Sequence, residues 1–330
     1  MALMRAVVIR RPGDIDALAI AEVPRPEPGT GEVRVRVIAA GINRADLLQR
    51  RGRYPAPPGV PADIPGLEFA GVIDAAGPGV ARLQEGMRVF GLVGGGAQAE
   101  YLIVPAGMCT PIPDNLDFVA AAAVPEAFIT AFDALFNQGR LRLGERVLVH
   151  AVGSGVATAA LQLAVRAGAE VWGTSRSPAK VERALGLGLA AGLPAEGFAA
   201  AARAKSGGRG VDLILDFVGG PYLQANVEAL APQGRLICLG LLGEPRKALD
   251  LGAVLAKRLR IIGAVLRSRS LDEKLALIRQ FQAHVVPLLA SGAVRPVIDR
   301  VLPREAVGEA HAALERNETF GKIVLSVGAP

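Results

Sequence analysis

With 330 residues, 51% of them hydrophobic, the chain can bury two cores, and disorder is excluded. Two cysteines, Cys109 and Cys238, exclude a disulfide framework and a four-cysteine zinc site, and fit a reducing, cytoplasmic setting. The net charge of +6 comes from scattered arginines and aromatics are only 4%, which argues against a nucleic-acid platform; no apolar run nears the ~20 residues of a membrane span, and no signal-peptide pattern opens the chain.

In chain order, 5–9 and 32–40 read as strands, the second alternating charged and apolar residues with period two. Pro24, Pro26, Pro28 and Gly29 mark a turn-rich link between them. A helix is expected over 44–50, then a Pro/Gly loop over 51–65 that carries Tyr54. Strands follow at 69–76, 88–92 and 100–104, so residues 1–120 read as mostly β. Helices are expected over 117–124 and 128–138. Strands at 147–150, 170–174, 211–217, 235–241 and 260–265 then alternate with helices at 154–167, 178–185, 198–205, 222–230 and 248–257. That alternation makes a parallel sheet with helices on both faces. A helix over 271–289, a strand at 299–302, a helix over 304–316 and a strand at 322–327 complete the pattern. The apolar strand 260–265 is expected at a sheet edge, where it invites pairing with its copy, and a homodimer is expected on that ground.

The organising stretch is 146–167, RVLVHAVGSGVATAALQLAVRA, which reads as strand, small-residue turn and helix. This is the front end of a dinucleotide-binding unit. Gly153 and Gly155 are expected to let the backbone turn sharply against a pyrophosphate, with the amides opening the helix, around Ser154 and Val156, aimed at the anion. A literal G-x-G-x-x-G fails at Thr158, and an ordinary strand-to-helix turn without a ligand is the alternative. At the end of the second strand, where NAD enzymes place a carboxylate, stand Thr174, Ser175, Arg176 and Ser177, followed by Lys180. Hydroxyls and a guanidinium suit a 2′-phosphate, which favours NADPH. The alternative makes Arg176 and Lys180 merely a solvated loop and helix start.

Several segments carry a resemblance: Asn43-Arg44-Ala45-Asp46-Leu47, Gly66-Leu67-Glu68-Phe69-Ala70-Gly71, Gly94 to Tyr101, Pro125 to Phe132, Ser154-Gly155, Leu266 to Arg269 and Gly321 to Leu325. In this order and spacing the chain resembles the quinone oxidoreductase (zeta-crystallin-like) branch of the zinc-free medium-chain dehydrogenase/reductase superfamily. The resemblance implies an α/β protein: a Rossmann doubly wound parallel sheet (123–265) inserted in a GroES-like mostly-β domain (1–122 plus 266–330), with nucleotide and substrate meeting between them. Zinc relatives have Cys where this chain has Asn43 and His where it has Leu67, so metal-free chemistry is expected. His150, His284 and His311 are scattered and read as structural.

By position, the resemblance implies cofactor contacts at Thr130, at Gly240-Leu241-Leu242, at Leu266-Arg267-Ser268 and at Asn317. Thr130 could equally pack or cap its helix, and Asn317 could be a helix C-cap. A tyrosine that relatives carry near Ala195 is missing. The implied activity is hydride transfer from NADPH to a quinone, with Asn43, Tyr54 and Gln98 as candidate donors to the acceptor oxygen. Asn43 could instead satisfy a turn, and Tyr54 could merely pack. No catalytic histidine or paired carboxylates stand out, and a hydroquinone anion can take its proton from water. An NADPH-dependent enone or 2-alkenal reductase on the same scaffold is the alternative. A dinucleotide-bound binding protein with little catalysis is a further one, since the family includes structural and RNA-binding relatives.

Overall fold

The computed structural model describes residues 2–328. The strands are β1 (Leu3–Ile9), β2 (Leu18–Pro24), β3 (Glu32–Ile42), β4 (Glu68–Ala76), β5 (Arg88–Leu92), β6 (Tyr101–Pro105), β7 (Cys109–Pro111), β8 (Arg146–Val149), β9 (Glu170–Thr174), β10 (Ala191–Leu193), β11 (Val211–Asp216), β12 (Leu230–Cys238), β13 (Arg260–Gly263), β14 (Ile298–Pro303) and β15 (Lys322–Ser326). They fall in two compact units: one runs to Ile129 and resumes at Arg267, the other is Thr130–Leu266.

The inner unit is a six-stranded sheet in the order β10-β9-β8-β11-β12-β13, parallel at every pairing. Its central strands are apolar on both faces, as burial from both sides requires. Val147, Leu148 and Val149 of β8 and Leu213, Ile214 and Leu215 of β11 are fully buried. Leu148, Trp172, Phe198, Ile214 and Leu236 share one cluster. The doubly wound sheet expected from the alternation is therefore present, with β13 at an edge.

The outer unit holds a two-stranded ladder of β1 and β2 and a seven-stranded sheet. Its order is β14-β15-β3-β4-β5-β7, with β6 added on β3. The 11-residue β3 is the spine, because it pairs with β4, β6 and β15. Two glycines permit close approach here. A Cβ at Gly71 would strike the carbonyl of Arg36, and one at Gly41 would strike the Glu68 carboxylate. This unit is the GroES-like domain.

Some elements depart from expectation. The expected helix 128–138 is two π-type turns, Pro125–Ile129 and Asp133–Gln138, around a short α segment, Thr130–Phe132. The helix expected over 271–289 is two, Leu271–His284 and Val286–Ala290, because Pro287 has no N–H to continue the ladder. The strand expected at 235–241 stops at Cys238. Strands β2, β7 and β10 were not expected; the last two are only three residues long, too short to show a period.

Candidate active site

In the inner unit, β8 feeds the helix Gly155–Arg166 through a tight turn. Its left-handed residue is Ala151, at φ +47°, and neither Gly153 nor Gly155 has a positive φ. The turn expected of the two glycines is thus made two residues before the first of them. Ser154 is the N-cap, and its hydroxyl accepts from the Ala157 amide at 3.3 Å. Thr158, where the fingerprint wants glycine, turns its hydroxyl back to donate to the Gly155 carbonyl at 2.9 Å. Val156 follows in the first turn, so a 12-residue helix presents its N-terminal amides at this point.

Beneath the turn lies a buried polar chain. His150 pairs through Nδ1 with the Thr174 hydroxyl (2.8 Å) and through Nε2 with Asn226 Oδ1 (2.7 Å). The Asn226 amide donates to Asp216 at 3.0 Å. Burial pushes the His150 imidazole down to about 4, so it stays neutral. The Thr174 hydroxyl is engaged by His150 and its side chain is buried in the sheet. Ser175 accepts from the Ser177 amide at 3.1 Å, Arg176 is exposed and Lys180 half-buried. Leu241 and Leu242 are exposed and Gly240 half-exposed, while Leu266 is buried. The Thr130 hydroxyl is buried and has no hydrogen-bond partner among the described residues. An orphaned hydroxyl, a capped helix N-terminus and a strand end without carboxylates fit a phosphorylated nicotinamide dinucleotide. Ser154, Gly155, Ser175 and Arg176 would hold its phosphates.

In the outer unit, Asn43 caps the helix Arg44–Arg50, and Asp46 reaches back to accept its amide at 2.7 Å. The other Asp46 oxygen accepts from the Gly66 amide at 3.1 Å. Burial pushes the Asp46 carboxyl up to about 6. The Asn43 side chain donates to Glu68 Oε1 at 2.8 Å and accepts from the Lys322 ammonium. Lys322 also donates to the Ile42 carbonyl at 2.9 Å and pairs with Glu68 Oε1 at 2.5 Å. Glu68 Oε2 accepts from the Glu126 amide at 2.8 Å. Asn43 is therefore a knot in a closed ion-pair network, which is the turn-and-packing alternative for this residue.

Tyr54 lies under the Arg267 guanidinium, 4.4 Å from the ring centroid. Buried Arg267 donates to the Tyr54 carbonyl (2.8 Å), the Gly94 carbonyl (3.0 Å) and Gln49 Oε1 (2.9 Å). Arg267 clamps the Tyr54 loop, and its three hydrogen bonds stay within the outer unit. Burial, then the Glu126 charge, pushes the Tyr54 phenol up to about 12, so it keeps its proton as a donor. Gln98 is wholly buried, and both its amide atoms lack partners among the described residues. Ser268 is exposed. Asn317, at φ +54°, ends the helix Val307–Glu315 in the left-handed conformation and accepts from Arg44 at 2.7 Å. That is the geometry of the C-cap alternative.

Glu68, Lys322, Asp46 and Glu126 were not singled out from the sequence as site residues. The available signal was a lone charge of each sign, Glu68 in GLEFAG and Lys322 in GKIVLS, set among apolar and small neighbours. Burial raises the Glu126 carboxyl to about 7, with the Glu68 charge as second cause. Zinc does not fit this donor set. Asn43 and Leu67 are not zinc ligands, and Glu68 is saturated by an ammonium, an amide and a backbone N–H. Among the described residues no group of three or more His, Cys, Asp or Glu could hold a metal ion. No helix among them is long and apolar enough to cross a membrane.

Comparison with known proteins agrees with this architecture. Residues 29–114 match the alcohol dehydrogenase GroES-like domain, and residues 192–325 match the zinc-binding dehydrogenase family. The synaptic vesicle membrane protein VAT-1 homolog of Rattus norvegicus is 31% identical over 98% of this chain and 84% of its own length. A phenolphthiocerol/phthiocerol polyketide synthase of Mycobacterium tuberculosis is 33% identical over 97% of this chain, which spans only 14% of that protein. Among solved structures, an NAD-dependent alcohol dehydrogenase is similar (TM-score 0.89, 34% identity, 98% of this chain and 100% of that one). Mycobacterial Rv1454c complexed with NADPH gives TM-score 0.90 at 27% identity over 98% of this chain and 100% of that one. The JamJ enoyl reductase gives 0.87 at 26% over 98% and 99%.

A GroES-like domain joined to a Rossmann sheet defines an oxidoreductase class. The chain belongs to the medium-chain dehydrogenase/reductase superfamily.

Proposed function

We propose that the chain is a zinc-independent, NADPH-dependent reductase whose acceptor is a quinone. The observation that carries this reading is the closed Asn43–Glu68–Lys322 network at the position where zinc relatives hold their metal. With no metal ligand set, negative charge developing on the acceptor oxygen must be met by hydrogen-bond donors or delocalised by the acceptor itself. A quinone delocalises it, and the protonated Tyr54 phenol is the donor assigned to it. The nicotinamide, when bound, supplies the hydride.

NADPH over NADH is supported by Ser175, Arg176 and Lys180 and by the lack of a carboxylate over 174–180. The 27%-identical structure complexed with NADPH adds to this. We expect kcat/KM to be higher with NADPH than with NADH; the reverse order rejects the assignment. A second reading, an enone reductase, is favoured by the likeness to the JamJ enoyl reductase. Turnover of a naphthoquinone beside a 2-alkenal, both with NADPH, separates the two. We further assign the exposed edge of β13 to a homodimer contact, because Ile261 lies uncovered on it and Val265 just beyond its end.

A further inference from the structure

Three carboxylic acids lie together in the outer unit, and two are fully engaged. Both oxygens of Asp46 accept backbone amides. Both oxygens of Glu68 are taken by Lys322, Asn43 and the Glu126 amide. The Lys322 ammonium has three acceptors, and Arg267 spends its fork on two carbonyls and Gln49. Glu126 differs. Its backbone is pinned by Glu68 at the start of a π-type turn, yet its carboxyl accepts no hydrogen bond among the described residues and remains partly open to solvent.

The groups that act on this carboxyl come from every side. Asp46 comes from the helix Arg44–Arg50, Glu68 from β4, Lys322 from β15, Arg267 from the segment before the helix Leu271–His284, and Tyr54 from the 51–65 loop. Burial and the Glu68 carboxylate favour its neutral form up to about pH 7. An acid so poised, with no hydrogen-bond partner among the described residues, has its proton available.

We propose that Glu126 is the proton donor of the reduction, acting on the oxygen of the acceptor beside Tyr54. This rests on the reductase reading above. The quinone gains a hydride, with its electron pair, from the reduced nicotinamide, and one proton from Glu126. The Glu126 O–H bond breaks as the hydroquinone O–H bond forms, and the carboxylate regains its proton from water. Tyr54 holds its own proton throughout and orients the oxygen.

The test compares wild type, Glu126→Gln and Glu126→Asp, with NADPH and a naphthoquinone, across pH. We expect Glu126→Gln to lower kcat by about 100-fold with KM and NADPH affinity unchanged, and Glu126→Asp to recover part of it. Wild-type kcat should fall about tenfold per pH unit above about pH 7, a limb absent from Glu126→Gln. Independently of turnover, infrared titration of the protein without cofactor should show a carboxyl C=O band that vanishes near that pH and is missing in Glu126→Gln. An active wild type with an equally active Glu126→Gln of the same pH profile overturns the proposal alone. So does a wild-type carboxyl band that titrates in the ordinary range, which decides the matter even if Glu126→Gln does not fold. A wild type that reduces no acceptor defeats the reductase reading and this proposal with it.

Discussion

Lys322 shows how much a single side chain carries in this site. Its ammonium and the Glu68 carboxylate are almost wholly withdrawn from water, at 5% and 0% side-chain exposure. Removing one partner of such a pair strands the other charge. Lys322→Met should therefore cost about 3–5 kcal/mol of stability, measured by urea unfolding, and Lys322→Met with Glu68→Gln should recover most of it. A cost near zero for the single change would mean the pair is not buried. Tyr54→Phe tests the donor role: quinone turnover should fall about tenfold with NADPH affinity unchanged. At this scale the sequence was only partly legible. Asn43 and Tyr54 could be named as candidates, but the partner of Asn43 lies 279 residues away in Lys322. No local pattern announces that pairing. Thr174 shows the opposite limit, a hydroxyl whose residue type suited a phosphate but whose neighbour in space is His150.

At the scale of elements, the 51–65 loop is ordered by its clamp and not by regular structure. Arg267 holds the Tyr54 and Gly94 carbonyls and Gln49, which in turn donates to the Ala62 carbonyl at 3.1 Å. Arg267→Lys keeps the charge and loses the planar fork. We expect the loop amides to exchange about tenfold faster in Arg267→Lys, a local loss of about 1.4 kcal/mol, with KM for the quinone raised and NADPH affinity retained. Unchanged exchange would return Arg267 to the cofactor. Long, strongly periodic elements were readable in advance: β3, β9 and the helix Gly155–Arg166 lie within a residue or two of their expected bounds. The π-type turns at Pro125–Ile129 and Asp133–Gln138 were not readable, because their residues are as helix-compatible as any α-helix and only tertiary packing widens the turn.

For the whole molecule, acid stability follows from three buried groups and the half-buried Glu126 working in opposition. Burial pushes His150 to about 4 and His311 to about 3. Below ~6.5 the unfolded chain takes up protons at both that the folded chain refuses, so stability falls as pH falls. Asp46 and Glu126 act the other way, since the folded chain keeps their protons up to about 6 and about 7. Their contribution is present at low pH and is lost as pH rises through those values. Between about pH 6 and pH 5 the two pairs nearly offset one another. Glu126→Gln removes one folded-state proton, so on acidification its stability should fall by about 1.4 kcal/mol per pH unit more steeply than wild type in that window. Parallel curves for the two proteins would contradict this balance. The exposed β13 edge makes a second prediction at this scale: sedimentation should report a dimer, and Ile261→Lys should shift it to monomer.

The network around Glu68 draws on β3 with Asn43 just after it, β4, and finally β15. A ribosome delivers these in that order, with Thr130–Leu266 emerging in between. The parallel sheet can thus close while Glu68 still lacks its counter-charge. Until Lys322 leaves the exit tunnel, the nascent β3–β4 pair must keep that carboxylate wet, and the earlier-made half of the outer unit must wait for the later one.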